Sequence, residues 1–273
     1  MTTAYVDCTG RDHIATVTLN NPPLNVFKIE MTGGLDRILE GLRRNDEVRA
    51  IVLTGAGRAF CAGSDISEFD AFYEPGNVVE LKLRRQNAVF EKLATFPKPV
   101  VAAIHGLAYG GGLEIAMCCD LIVAEEDCRF AMPEMRLGVF PSSGGPYRTA
   151  RRIGPARTKQ LIFLTEPINA HVAFDWGLID RMAPKGEAAT VASQLAAEMA
   201  KRPSKAFSLC KALIGDATRL SSADLIAQSL TASDQVFASD DCREGVRAFF
   251  AKEEPNFGTG GDSRGQARNS ATA

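Results

Sequence analysis

Several things are scarce in this chain, and each scarcity narrows what it can be. No run of residues approaches the ~18 consecutive apolar positions needed to span a bilayer. The N-terminus, MTTAYVDCTGRDHIATVTL, has no basic segment followed by a long apolar one. No membrane association is expected, and the expected location is cytoplasmic. Histidine occurs only at His13, His105 and His171, without ligand-like spacing to one another or to cysteine, so no metal site is expected. The seven cysteines, at 8, 61, 118, 119, 128, 210 and 242, contain no CxxC pair and are odd in number. They read as reduced, buried small hydrophobes rather than a disulfide framework. Neither sign of charge dominates: the net charge is -2, which gives no basis for nucleic-acid binding. What remains, 273 residues at 45% hydrophobic content, suffices for one large domain or one domain with an appendage.

The chain is organised around PKPVVAAIHGLAYGGGLEIAMCCDLIVAEEDCRFAMPEMRLGVFPSSGGP, from Pro97 to Pro146. Val100 to Ile104 is a short continuous apolar run, which reads as a buried strand, and it leads to Gly110-Gly111-Gly112. Successive glycines let the backbone turn sharply and let another molecule lie against bare peptide N–H groups. Leu113 to Cys118 then reads as the first turns of a buried helix, so the glycines sit where unpaired N–H groups favour negative charge. Glu114 lies in that helix among apolar neighbours, where a carboxylate is expensive unless something uses or satisfies it. Glu134 follows in a second apolar context, Phe130-Ala131-Met132-Pro133-Glu134. Two semi-buried carboxylates near one anion-binding turn are ingredients of general acid-base catalysis on a carbonyl compound. The competing structural roles are a helix cap for Glu114 and an ion pair with Arg136 for Glu134. His105, a single histidine in a strand-to-turn stretch, reads as structural.

Taken in order, Ile14 to Leu19 alternates like a half-buried strand and ends in the turn residues of Asn20-Asn21-Pro22-Pro23-Leu24-Asn25. Met31, Leu35, Ile38, Leu39 and Leu42 recur at helical spacing, and Val48 to Leu53 is a second strand. Strand, helix, strand favours an α/β arrangement. The small-residue loop Cys61-Ala62-Gly63-Ser64-Asp65-Ile66 follows. Asp70 to Val79 reads as irregular and Leu81 to Phe96 as a helix. Tyr147 to Ile153 and Pro155 to Leu164 read as separate helices, with Arg148, Arg151 and Arg152 forming a solvated face. Beyond Pro184 helices are predicted over 187–200, 204–215, 221–238 and 241–252. From Gly258 onward the Gly/Ser-rich end should be disordered.

Several pieces in order carry a resemblance: Asn20-Asn21-Pro22, Ala59 to Ile66, Gly110 to Glu114 with Cys119-Asp120, Pro133-Glu134 with Leu137-Gly138, Pro141 to Gly145, and Glu244-Gly245 with Ala248-Phe249. From about Ile14 to Lys252 the chain resembles the crotonase, or enoyl-CoA hydratase/isomerase, superfamily. The resemblance implies an α/β fold: a spiral of ββα units over 1–200 and a C-terminal helical region over 201–257 that mediates trimer formation, with 258–273 a tail. It implies a homo-trimer or a homo-hexamer built as a dimer of trimers. It implies an acyl-CoA substrate, no other cofactor and no metal.

The same resemblance places an oxyanion hole at the backbone N–H groups of Ser64 and Gly111. It makes Glu114 and Glu134 the pair that holds a water, one removing its proton as it attacks Cβ of a 2-enoyl thioester, the other delivering a proton to Cα. Glu134 is assigned as the donor at Cα, although the sequence does not decide between the two. Two carboxylates sharing a site cannot both ionise easily and should titrate as a unit. Ala62, Gly63, Asp65, Ile66, Gly110, Phe140 and Lys252 are the expected substrate and CoA contacts. The chain departs from the family in having Asn21 where arginine is common, Ser64 where a small apolar residue is common, and an acidic Glu253-Glu254 after Lys252. The expected activity is 2-enoyl-CoA hydration. The alternatives are enoyl-CoA isomerisation, other enolate chemistry such as C–C cleavage, and non-catalytic acyl-CoA binding on the same fold.

Overall fold

The structure is a computed structural model that describes residues 1–258. It contains two compact units, Met1–Met199 and a second beginning at Ala200. The first opens with β1 (Thr2–Thr3), β2 (Val6–Arg11) and β3 (Ile14–Leu19), an antiparallel set, followed by α1 (Ile29–Arg43) and β4 (Ala50–Gly55). A 3₁₀ turn over Ile66–Phe72 and a π turn over Val79–Leu83 lead into α2 (Arg84–Ala94). Next come β5 (Val100–Ile104), β6 (Leu107–Tyr109), α3 (Gly111–Ala116), β7 (Leu121–Glu125), β8 (Arg129–Ala131), a 3₁₀ turn over Glu134–Leu137 and α4 (Gly145–Phe163). The unit closes with β9 (Ile168–Asn169), α5 (Ala170–Trp176), β10 (Arg181–Ala183) and α6 (Ala188–Ala200). The second unit holds α7 (Ser204–Asp216), α8 (Ser222–Phe237) and α9 (Asp240–Ala251).

Among the described residues the strands form two sheets. The larger runs β1-β2-β3-β4-β5-β7-β10, parallel from β3 onward; the smaller runs β6-β8-β9. Each coil of the chain contributes one strand to the large sheet, a short one to the small sheet, and then a helix: β5-β6-α3, then β7-β8-α4. The coil before them does the same in reduced form, because Cys61, after β4, bridges Ala108 of β6. Stacking places the ends of successive coils side by side. The cause is visible in the strands: every residue of β5 is fully buried, as a parallel strand covered on both faces must be. The register pairs Ile51 with Val100 and Val101 with Leu121. Met31, Leu35, Ile38, Leu39 and Leu42 form the buried stripe of α1, as their spacing predicts.

The structure departs from sequence expectation in several places. Asn169, Ser221 and Ser239 cap α5, α8 and α9 through their side chains, so those ends follow the pattern, but β2, β6, β9 and β10 were not readable. The two helices expected after Pro146 are present within α4 and are separated where expected, at the non-helical Gly154 (φ 79°, ψ 161°) just before Pro155. The irregular stretch 70–79 is partly ordered, with the 3₁₀ turn reaching Phe72 and the helix entered through the π turn. The arginine run is not simply a solvated face. Arg148 donates to Glu91 at 2.7 Å, and Arg152 donates to the Leu178 carbonyl at 2.8 Å and pairs with Asp180, both side chains largely covered. The cysteines are free, but Cys210, on a helix with no buried residue, is exposed and Cys242 only partly covered. The predicted disordered tail lies outside the described residues apart from Gly258. Among the described residues no helix is long and apolar enough to cross a membrane.

Candidate active site

Asn25 fixes the first wall of the site. It is fully buried in the left-handed region (φ 53°), and its Nδ2 donates to the carbonyls of Ala56 (2.7 Å), Ala59 (2.7 Å) and Phe60 (3.2 Å). The loop after β4 is thereby tied down, and two residues beyond Asn25 the chain meets it again. The Phe27 N–H donates to the Gly63 carbonyl and the Asp65 N–H to the Phe27 carbonyl. That parallel bridge uses the groups either side of Ser64 and leaves the Ser64 N–H outside the ladder. The Phe27 ring packs edge-on against Phe90 of α2, with centroids 5.5 Å apart, which holds the loop against that helix.

The second wall is the glycine turn. Gly110 has φ 48° and ψ -123°, and its N–H donates to the Ala131 carbonyl. Gly111 is the first residue of α3, so its N–H lacks an intrahelical acceptor. A Cβ on Gly111 would stand 3.7 Å from the Ser64 nitrogen, which brings the two expected donors together. Gly112 packs so tightly that a Cβ would lie 2.2 Å from the Cys61 carbonyl oxygen. Gly63 is held likewise, facing the Tyr109 carbonyl and the Gly111 nitrogen at φ 103°.

Two carboxyls complete the arrangement. Glu114, 3% exposed, accepts hydrogen bonds at Oε1 from the N–H groups of Ser143 and Gly145, both at 2.7 Å. It therefore does cap the turn that starts α4, as the structural alternative supposed, while Oε2 takes no part in those two bonds. Burial pushes its pKa up to about 7; the two N–H bonds and the charges of Arg148 and Lys82 oppose the rise. Glu134 begins the 3₁₀ turn after β8, and its Oε1 occupies the space over Gly110, where a Cβ would come within 2.4 Å. Its Oε2 is buried without a hydrogen-bond partner. Burial raises this pKa to about 7 as well, with the charge of Glu114 adding to the rise. The ion pair with Arg136 is not formed, since the Arg136 Nε donates instead to the Thr165 hydroxyl at 2.6 Å.

The remaining candidates scatter. Ala62 is pinned by its N–H to the Leu24 carbonyl. Asp65 caps the first 3₁₀ turn through Ser67 and lies 3.8 Å from Lys28, so its side chain is already engaged. Ile66 and Phe140 are largely exposed, and Lys252 ends α9 in the second unit at φ 56°. Sequence reading missed Asn25, whose isolated position among turn residues concealed three hydrogen bonds. It also missed Lys82 and Gln86, two polar residues on the apolar stripe of their helix, where Val89, Phe90 and Leu93 mark the buried face. Among the described residues no cluster of three histidine, cysteine or acidic side chains could hold a metal ion.

A spiral of strand-strand-helix coils that sets a paired backbone N–H turn beside two buried carboxyls is the crotonase architecture. Residues 9–260 match the family model described as enoyl-CoA hydratase/isomerase, and the chain belongs to that family. It is 36% identical over 248 residues to a probable enoyl-CoA hydratase of Bacillus subtilis, covering 89% of this chain and 95% of that one. It is 35% identical over 249 residues to the 1,2-epoxyphenylacetyl-CoA isomerase of Escherichia coli, covering 89% and 94%. Among solved structures, DspI of Pseudomonas aeruginosa superposes with a TM-score of 0.90 at 33% identity, covering 94% of this chain and 98% of that one.

Proposed function

We propose that the chain is an enoyl-CoA hydratase, adding water across the double bond of a 2-enoyl-CoA thioester. Support comes chiefly from the carboxyl pair: Glu114 and Glu134 arrive from consecutive coils at the same turn, each with its pKa raised to about 7. Near neutral pH such a pair holds one proton between its two members, which supplies a base and an acid together. The thioester oxygen would accept from the N–H groups of Ser64 and Gly111, which would stabilise the enolate as charge develops there. Two N–H donors, from Ser143 and Gly145, favour the charged form of Glu114, whereas the Glu134 carboxyl has only its own backbone N–H and its Oε2 has no donor. Glu114 is thus the base that takes a proton from water as its oxygen bonds to Cβ, and Glu134 the acid that protonates Cα. The proton gained by one carboxyl replaces the one lost by the other, so the sum is one water added.

Ala62, Gly63, Ile66 and Phe140 would flank the substrate. The chemistry uses the protein's own groups and CoA carried by the substrate, with no step assigned to a metal or a second cofactor. A cytoplasmic location fits the bacterial relatives. Assembly as a homo-trimer or homo-hexamer is proposed on the large apolar side chains that the second unit leaves exposed, among them Ile226, Leu230, Phe237, Phe249 and Phe250.

The test combines substrate and mutation. Purified protein incubated with 2-enoyl-CoA and 3-enoyl-CoA thioesters in deuterated water should yield 3-hydroxyacyl-CoA from the 2-enoyl substrates, identified by mass and NMR. Glu134→Gln keeps the side chain's size but removes its proton donor, so hydration should fall roughly 10²- to 10⁴-fold with acyl-CoA binding retained. Near-normal turnover would place Glu134 among structural residues. Isomerisation is the second reading, since the Escherichia coli relative is named an isomerase at nearly the same identity. Double-bond migration without added water in the same experiment would select it.

A further inference from the structure

Two polar side chains are buried on one helical face that borders the glycine turn, with no hydrogen bond to any protein atom. Lys82, 5% exposed, has no acceptor for its Nζ, and Gln86, 1% exposed, has neither Nε2 nor Oε1 engaged. They lie four residues apart on the stripe that continues into Val89, Phe90 and Leu93, so both face inward. Lys82 sits in a π turn, a local geometry frequent at functional sites. Gln86 Nε2 lies 3.8 Å from the point where a Cβ on Gly111 would be, the same point that stands 3.7 Å from the Ser64 nitrogen. Its amide therefore borders the paired N–H donors.

The carboxylates around Lys82 are otherwise engaged. Asp65 accepts from Ser67 and lies near Lys28, Glu68 accepts from the Ile29 N–H, and Glu114 Oε1 accepts from Ser143 and Gly145. The Lys82 Nζ also lies 5.7 Å from the centroid of the Phe72 ring, a contact that leaves its hydrogen-bonding capacity unmet. A buried ammonium and a buried amide left this way are a standing penalty against the fold, and a hydrocarbon acyl chain laid beside them would not relieve it. A carboxylate would relieve the donor side of it, since it accepts from the Lys82 ammonium and from the Gln86 Nε2 amide group, though not the Gln86 Oε1, which needs a donor.

We propose that Lys82 and Gln86 form a subsite for a carboxylate borne at the far end of a short acyl chain, making the preferred substrates ω-carboxylated acyl-CoA thioesters. The proposal rests on the acyl-CoA reading above and adds the class of acyl group. Gln86 borders the paired N–H donors and Lys82 lies four residues earlier on the same face, which suits a short chain.

The two readings can be separated by measuring binding and turnover independently. Calorimetry on the full chain compares glutaryl-CoA with pentanoyl-CoA, which have five acyl carbons each and differ in the terminal carboxylate. Kinetics compares glutaconyl-CoA with 2-pentenoyl-CoA. The wild-type protein should bind glutaryl-CoA at least ~10-fold more tightly and show a similar preference in kcat/KM, as expected for a charge-assisted contact. Lys82→Met should abolish or invert the preference, and Gln86→Leu should reduce it several-fold. Equal affinities in the wild-type protein, or a preference that survives Lys82→Met, would overturn the subsite even if both enoyl thioesters are hydrated. Preferential glutaryl-CoA binding without hydration of either enoyl thioester would instead keep the subsite and remove the hydratase. The wild-type comparison and Gln86→Leu decide the matter even if Lys82→Met does not fold.

Discussion

Changing Glu114 to glutamine removes a charge from a place where charge is hard to hold while preserving shape and acceptor. The glutamine carbonyl can take the same two bonds from the N–H groups of Ser143 and Gly145. In the folded chain the carboxyl titrates at about 7 rather than at its ordinary 4.5, because burial outweighs those bonds. The native state therefore holds a proton over that window that the unfolded chain has released. Stability falls as pH rises from about 4.5 through 7, and the loss is complete above 7. A shift of this size corresponds to about 3 kcal/mol. Glu114→Gln escapes it, so urea unfolding at fixed protein concentration should find the variant up to about 3 kcal/mol more stable at pH 8.5, but within about 1 kcal/mol of wild type at pH 5. Hydration of crotonyl-CoA should meanwhile drop by orders of magnitude, and Glu134, relieved of a neighbouring charge, should titrate lower. An advantage equal at both pH values, or absent at both, would refute the account of why this carboxyl resists ionisation.

Three further outcomes follow from geometry already described. The kcat/KM for crotonyl-CoA should be bell-shaped with limbs on either side of about pH 7, since hydration needs one carboxyl charged and the other protonated; a flat profile between pH 5 and 9 would contradict the shared-proton pair. Gly110→Ala puts a methyl 2.4 Å from Glu134 Oε1 on a backbone open only to glycine, and kcat should fall at least ~10²-fold. Wild-type turnover would mean that Glu134 need not stand where it does. Asn25→Ala leaves two buried carbonyls and one part-buried carbonyl without their donor and puts alanine at φ 53°, so urea unfolding should register a loss of about 3 kcal/mol, whereas an unmoved midpoint would assign those bonds no weight.

What could be read from the sequence depended on whether a pattern was local. Val100 to Ile104 announces a buried parallel strand because both faces are apolar, and α1 announces itself through five residues at helical spacing. Glu114 and Glu134 stood out as charges in apolar company; the structure puts the Glu134 carboxyl over Gly110 and Glu114 one helical turn beyond that glycine, its carboxyl held by Ser143 and Gly145. The short strands of the small sheet had no such signature. β6 and β8 span three residues each, too few for alternation to show, and exist because the neighbouring coil offers a partner. Arg148 and Arg152 looked like surface charges because their partners, Glu91 and Asp180, are distant in sequence. Lys82 and Gln86 fall in a stretch that the sequence marks only as a helix; the packing of Phe90 and Val89 reveals that they point the same way as the core.

The coiled path of the chain also governs when the site comes into being. Ser64 belongs to the first of three stacked coils, Gly111 and Glu114 to the second, and Glu134 to the third, whose helix start then clasps Glu114 through Ser143 and Gly145. No coil carries the chemistry alone. On the proposed mechanism, a chain emerging in order from its N-terminus would include both expected N–H donors by Ala116, yet would lack Glu134 and would leave Glu114 unclasped. The set of groups that the proposed hydration requires is complete only with the residues up to Gly145, because each coil contributes a part that the others lack.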